Sequence, residues 1–226
     1  MSPRSFEFLD SFPVHFLLSV PADEGSLAHR RHVPSRLIEL DSLTDRLDLQ
    51  KIFERNSPLH VDLGSGDGSF LCSLAQRMPH KNFLGVERLL NRVRTSTRKA
   101  ATLDNVRLLR MESFYAVRYL LPPESVERFY LLFPDPWPKR RHHRRRIVTP
   151  DFVSSIHAAL QKDGSIYIAT DDVDYFGEIK EIAESNSGFA IGEGDADLPQ
   201  SKFGRIFREK HAPVHWLELR KISPVK

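Results

Sequence analysis

Five carboxylates stand where runs of alternating apolar residues give out: Asp62, Glu87, Glu112, Asp135 and Asp171. Each closes a segment that reads as a β-strand. In a parallel sheet the carboxyl ends of the strands share one rim, and ligands gather there. Five acids on one rim would repel one another unless a cation or hydrogen-bond donors sat among them. The chain lacks a His/Cys metal-ligand spacing, since His142 and His143 are adjacent rather than four apart. Oxygen-ligated Mg²⁺ is compatible with such acids, but a ligand that is itself cationic fits them better, and no metal site is assigned.

Two further stretches bear on chemistry. The first is Gly64-Ser65-Gly66-Asp67-Gly68, between a strand at residues 59–63 and a helix beginning at Ser69. Glycines suit a turn that needs positive φ and lets a ligand approach the backbone. The spacing is G-x-G-x-G, and Ser69 stands where a dinucleotide fingerprint would place its third glycine. Glu87 ends the next strand 21 residues past Gly66, where a carboxylate can accept both hydroxyls of a ribose. The second stretch is Phe133–Lys139, FPDPWPK, which runs into residues 139–146, KRRHHRRR, with six permanent cations. A charge run alone reads as a solvated face. Abutting a Pro-Asp-Pro-Trp turn at a strand end, it points to a polyanion partner.

The elements that must position these residues alternate. Strands are predicted at 59–63, 82–87, 105–111, 128–133 and 165–170, with a closing hairpin near 189–193 and 214–220. Helices are predicted from Ser69 to Met78, over 88–103, over 114–121, from a Thr149 cap with Pro150 at its first position to Gly164, and around Tyr175–Ala183. Alternating βα units imply a doubly wound α/β fold, here a mostly parallel, seven-stranded sheet with helices on both faces. Residues 1–57, broken by Pro13, Pro21 and Pro34, read as an N-terminal extension with one or two short helices, ahead of a domain spanning 58–226.

At 226 residues with a net charge of +3, one domain of ordinary size is expected. The charge is uneven: residues 171–197 hold nine acids and one lysine. No stretch approaches the roughly 20 apolar residues of a membrane span, and no membrane partner is expected. The first 20 residues lack the basic region, apolar core and cleavage site of a signal peptide. The single Cys72 rules out an internal disulfide and fits a reducing, cytoplasmic setting. It falls on the apolar face of the first domain helix, where core packing is its expected role. A monomer and a homodimer are both compatible with the sequence.

S-adenosyl-L-methionine carries a sulfonium and an ammonium beside a ribose and an adenine, and so meets the demand for a cationic nucleoside. The pattern resembles the class I methyltransferases, with their Rossmann-like sheet. FPDPWPK, the following RRHHRRRIV, Ala169–Asp171 and SKFGR at Ser201–Arg205 together resemble the tRNA (guanine-N7-)-methyltransferase family, over about residues 59–220. The resemblance implies cofactor contacts at Asp62, Gly64, Gly66, Glu87, Glu112 and Asp135. It implies substrate contacts at Lys139, Asp171, Ser201, Lys202, Phe203 and Gly204, and RNA contacts along Arg141, His142, His143, Arg144, Arg145 and Arg146. The family's tail motif usually reads T-K-F-E, so Gly204 replaces a carboxylate. Asp67 stands where Lys or Met is usual.

The resemblance further implies methyl transfer to guanine at variable-loop position 46 of tRNA. Guanine N7 has an in-plane lone pair and no proton, so direct attack on the sulfonium methyl needs no general base. Orientation and electrostatics then carry catalysis, with Asp135, flanked by Pro134 and Pro136, as the catalytic candidate. Trp137 would either stack on the unstacked base or cover the cofactor. A nicotinamide oxidoreductase is disfavoured by Ser69. An adenine-N6 methyltransferase would carry Asp/Asn-Pro-Pro-aromatic rather than Asp-Pro-Trp. A non-catalytic RNA-binding module is opposed by the intact acids at Asp62, Glu87 and Asp135.

Overall fold

The computed structural model describes residues 35–192, 198, 204 and 213–222. The described strands form one eight-stranded sheet. They are β1 (Leu37–Ile38), β2 (Leu59–Leu63), β3 (Asn82–Glu87), β4 (Val106–Arg110), β5 (Val126–Leu132), β6 (Leu160–Thr170), β7 (Phe189–Gly192) and β8 (His215–Lys221). Their spatial order is β1-β4-β3-β2-β5-β6-β8-β7. From β1 to β6 all neighbours are parallel, and the antiparallel β8 and β7 close the sheet. The order reverses between β2 and the pair β3 and β5, which makes the carboxyl end of β2 the switch point where a doubly wound sheet opens a crevice.

The sheet has one strand more than the seven expected. The addition is β1, two residues long, which forms the edge of the sheet and pairs Leu37 and Ile38 with Leu108 and Leu109 of β4. A two-residue strand leaves no alternation to read in the sequence. Residues 35–57 also supply α1 (Leu49–Phe53), capped by Asp48. Leu47 and Phe53 are buried in the same core as the sheet, so this part of the expected extension packs on the domain.

Two apolar layers flank the sheet. On one face α2 (Ser69–Arg77) contributes Phe70, Leu71, Leu74 and Ala75 against Phe83, Leu108 and Tyr130, with Ala100 closing α3 (Leu90–Lys99). Cys72 lies in this layer, and burial pushes its thiol up to about 11, so it packs as an apolar group and stays protonated. On the other face lie α1, α4 (Ser113–Tyr115) with the π-helical turn Ala116–Leu120 that continues it, α5 (Pro150–Ala159) and α6 (Val173–Glu184).

The helix starts follow their capping residues. Thr149 Oγ1 accepts from the Phe152 amide at 3.1 Å, with Pro150 in the first position. Asp172 Oδ1 accepts from the Tyr175 amide at 2.8 Å. The end of α5 differs from expectation, because the helix stops at Ala159 and Leu160 already pairs with Val126. Gly164 therefore does not close a helix. It sits in a bulge of β6, where residues 161–164 loop out opposite Glu127 and a Cβ on Gly164 would come within 2.9 Å of the Glu127 carbonyl oxygen.

Candidate active site

The parallel strands β4, β3, β2, β5 and β6 are neighbours, and their carboxyl ends carry Glu112, Glu87, Asp62, Asp135 and Asp171 in that spatial sequence. The acids expected to share a rim therefore do so, but in two different environments. Asp62 and Glu87 are 3% and 4% exposed. Glu112, Asp135 and Asp171 are exposed. Asp62 lies within β2, opposite Gly85 of β3, so Glu87, two residues on, points from the same face. Burial, and then the neighbouring Glu87, push the Asp62 carboxyl up to about 7. The only ion pair to Glu87 among the described residues is Arg92, half exposed, with Nη1 at 3.6 Å.

The glycine turn is built onto this pair. The amides of Gly64 and Ser65 donate to the Val86 carbonyl at 2.9 and 3.0 Å. Glu87 accepts from the Gly66 amide at 3.1 Å and from the Leu89 amide at 2.8 Å. Gly64, Gly66 and Gly68 all have positive φ. At Gly64 the position of a Cβ faces open space, whereas at Gly68 it would lie 2.1 Å from Ser96 Oγ on α3. The first glycine thus keeps the approach to the turn clear, and the third lets α3 close on it. Asp67 points away from that approach. It caps the Ser69 amide at 3.1 Å and pairs with Lys99 at 2.7 Å, which holds its carboxyl below the usual range. Glu112 caps α4, accepting from the amides of Phe114 at 2.9 Å and Tyr115 at 2.8 Å.

Beyond β5 the chain turns sharply. Phe133 and Trp137 both adopt left-handed backbone, with φ of 55° and 46°, at a cost of about 1–3 kcal/mol each for a non-glycine residue. They bracket Pro134-Asp135-Pro136. The Phe133 amide donates to the Ala169 carbonyl at 2.7 Å, which sets Asp135 beside the end of β6 and Asp171. Prolines restrict the backbone on both sides of Asp135. The basic run that follows folds as a 3₁₀ turn, Arg140–Arg145. Lys139, Arg140, Arg141, Arg144 and Arg145 are exposed, and His142 and His143 are half-buried. The Arg145 guanidinium lies 4.9 Å from the Trp137 ring centre, and the His142 ring meets the indole edge-on at 5.9 Å.

Arg146, expected with the RNA-contacting run, is 5% exposed. Its Nε donates to the Pro136 carbonyl at 2.8 Å, its Nη1 pairs with Glu178 on α6, and its guanidinium covers the Tyr175 ring at 4.7 Å. Its position at the end of five cations hid this, because its partners lie ten and about thirty residues away in sequence. Ser201, Lys202 and Phe203 lie outside the described residues, and Gly204 is half-buried. Among the described residues no group of three or more His, Cys, Asp or Glu is arranged to hold a metal, and no helix is long and apolar enough to cross a membrane. A cleft of about 260 Å³ lined by Arg46, Arg118 and Asp151 shares no residue with the acidic rim.

The family described as "Putative methyltransferase" matches residues 56–217, which contain the glycine turn, the acids and the FPDPWPK segment. A tRNA (guanine-N(7)-)-methyltransferase of Thermotoga maritima is 40% identical over 182 residues. One of Halorhodospira halophila is 35% identical over 185 residues, 77% of this chain and 79% of that protein. The chain belongs to the tRNA (guanine-N7-)-methyltransferase family. The match covers 78% of this chain and 58% of the longer Thermotoga member. Among solved structures, the 16S rRNA methyltransferase KamB and the antibiotic-resistance methyltransferase Kmr superpose with TM-scores of 0.57 and 0.56 at 17% and 15% identity. Each superposition covers 79% of this chain, with 95% and 93% of the respective structure. At that identity the likeness concerns the fold, a class I methyltransferase sheet.

Proposed function

We propose that this chain transfers the methyl group of S-adenosyl-L-methionine to N7 of guanine in tRNA, at variable-loop position 46, giving 7-methylguanosine and S-adenosylhomocysteine. The observation that carries the reading is the buried Asp62–Glu87 pair on the acidic rim. The two carboxylates are held together away from water, where burial, and then the neighbouring Glu87, push Asp62 up to about 7, beside a turn whose approach is open at Gly64. A cationic nucleoside relieves that repulsion, and the 35–40% identity to relatives bearing this activity in their names supports the choice. Asp62, Gly64, Gly66 and Glu87 would hold the donor, with Glu112 and Asp135 completing its surroundings.

When bound, the donor supplies an electrophilic methyl on a positively charged sulfur. The chain's own residues have little proton chemistry to perform, because guanine N7 carries no proton. Their work is orientation and charge stabilisation. Asp135, exposed at the rim and fixed between two prolines, sets a carboxylate where positive charge develops on the purine. The exposed Lys139, Arg140, Arg141, Arg144 and Arg145 grip phosphates around the unstacked base. Lys139, Asp171 and Gly204, with Ser201, Lys202 and Phe203, are the proposed contacts to the substrate guanosine. The compartment we infer is the cytoplasm, in keeping with a chain that carries one cysteine and relies on no internal disulfide.

The test is to incubate the protein with labelled donor and unmodified tRNA and to map 7-methylguanosine by borohydride–aniline cleavage. Cleavage at the variable-loop guanosine is expected. Label that enters tRNA without creating any aniline-sensitive site would overturn the reading.

A further inference from the structure

We propose that Arg146 is a positioning residue that sets the Phe133–Trp137 turn, and that it does not contact RNA. The turn needs an external anchor. Both of its ends, Phe133 and Trp137, are bulky aromatics in left-handed backbone, a conformation that persists only where the surroundings over-determine it. Two of its residues, Pro134 and Pro136, donate no backbone hydrogen bond, so fewer amides are available to tie it down than in an ordinary turn. The first flank is secured by the Phe133 amide on Ala169. The second is secured from outside the turn, by Arg146 Nε on the Pro136 carbonyl.

The anchor is itself fixed on α6. Glu178 pairs with the Arg146 guanidinium, the Tyr175 ring lies beneath it, and the Tyr175 hydroxyl accepts from the Val148 amide at 3.2 Å. Burial and the Glu178 carboxylate leave Arg146 without a free charge to offer a phosphate, whereas its neighbours Arg144 and Arg145 are exposed. Arg146 reaches the carbonyl and the carboxylate with two separate nitrogens of a planar fork, a spacing that the single ammonium nitrogen of a lysine does not reproduce. The basic run thus divides into five solvent-facing cations and one inward-facing cation that aims Asp135.

The consequence is read first without tRNA or donor. Of the two tryptophans, Trp216 is replaced by Phe so that Trp137 alone reports. Acrylamide quenching of Trp137 is expected to increase in Arg146→Lys and in Glu178→Gln, the gentler variant because it keeps an acceptor oxygen and Glu178 is 36% exposed. It is expected to stay unchanged in Arg144→Ala. The kinetic arm alone rests on the proposed methyl transfer. There, Arg146→Lys and Glu178→Gln lower kcat by about 10- to 100-fold, the scale of a misaimed reacting group, and leave the salt dependence of tRNA binding at the wild-type slope. Arg144→Ala flattens that slope by about 0.7–0.9. The proposal is overturned if Trp137 quenching in both Arg146→Lys and Glu178→Gln matches the parent, or if Arg146→Lys flattens the slope as Arg144→Ala does. A parent protein that modifies no tRNA would instead refute the assigned activity and leave the quenching result standing.

Discussion

Replacing Asp62 by Asn tests whether the rim is electrostatically frustrated before the donor arrives. The folded Asp62 carboxyl is pushed from 3.8 up to about 7, so the folded state holds its proton more tightly than the unfolded chain does. The stability this gives is fully present below the unfolded value and is lost as pH rises through the folded one. Between pH 5 and pH 8 the loss amounts to about 2–3 kcal/mol for this group taken alone, at roughly 1.4 kcal/mol per pH unit up to 7. Asn has nearly the same shape and no proton to lose. The donor-free Asp62→Asn protein should therefore gain on the wild type as pH rises. For a domain of this size the gap in Tm should widen by about 5–10 °C across that interval. Thermal unfolding of both proteins at the two pH values reads the effect directly. Donor uptake should show the reverse, being weaker in Asp62→Asn and accompanied in the wild type by proton release near pH 7. A Tm gap that stays constant or narrows from pH 5 to pH 8 would mean that Asp62 carries no such raised titration in the folded protein.

Three other outcomes follow from the site. With five exposed cations in the 139–145 run, the slope of log Kd against log salt for tRNA should be about 3.5–4.5, a weakening of roughly 100- to 500-fold from about 50 to about 200 mM salt, measured by filter binding. Asp135→Asn should lower kcat by about 100- to 1,000-fold, the usual effect of removing one preorganised electrostatic group, with Tm unchanged because the side chain is exposed. Gly68→Ala, whose Cβ would meet Ser96 Oγ at 2.1 Å with φ at +76°, should destabilise the fold by about 2–5 kcal/mol in urea titrations, combining left-handed strain with overpacking.

Where local sequence determines local structure, the chain was readable. The alternation of Leu59–Leu63 and Asn82–Glu87, bounded by Pro58, the glycines and the Pro79–Lys81 turn, defines β2 and β3 to the residue. Thr149-Pro150 marks the start of α5 for the reason such caps work, one side-chain oxygen for one unpaired amide. What could not be read depends on partners distant in sequence. Gly164 resembles a helix terminator until Glu127 is seen beside it. Arg146 resembles its basic neighbours until Glu178 and Tyr175 fold over it. Asp67, noted only as standing where Lys or Met is usual, takes its role from Lys99, a partner 32 residues away that no local pattern announces. The rim acids were legible as a set, because the end of a strand is a local property. Their division into a buried pair and three exposed members was not, because burial depends on how α2 and α3 close over the switch point.

In the proposed reaction the methyl goes to N7 of guanine at this rim. A tRNA transcript carrying 7-deazaguanosine at the variable-loop position differs from its parent only in presenting C–H where the proposed acceptor has its lone pair. Single-turnover transfer of labelled methyl should proceed on the parent transcript and vanish on the substituted one, with tRNA binding undiminished. Transfer to the substituted transcript at the parental rate would contradict the account.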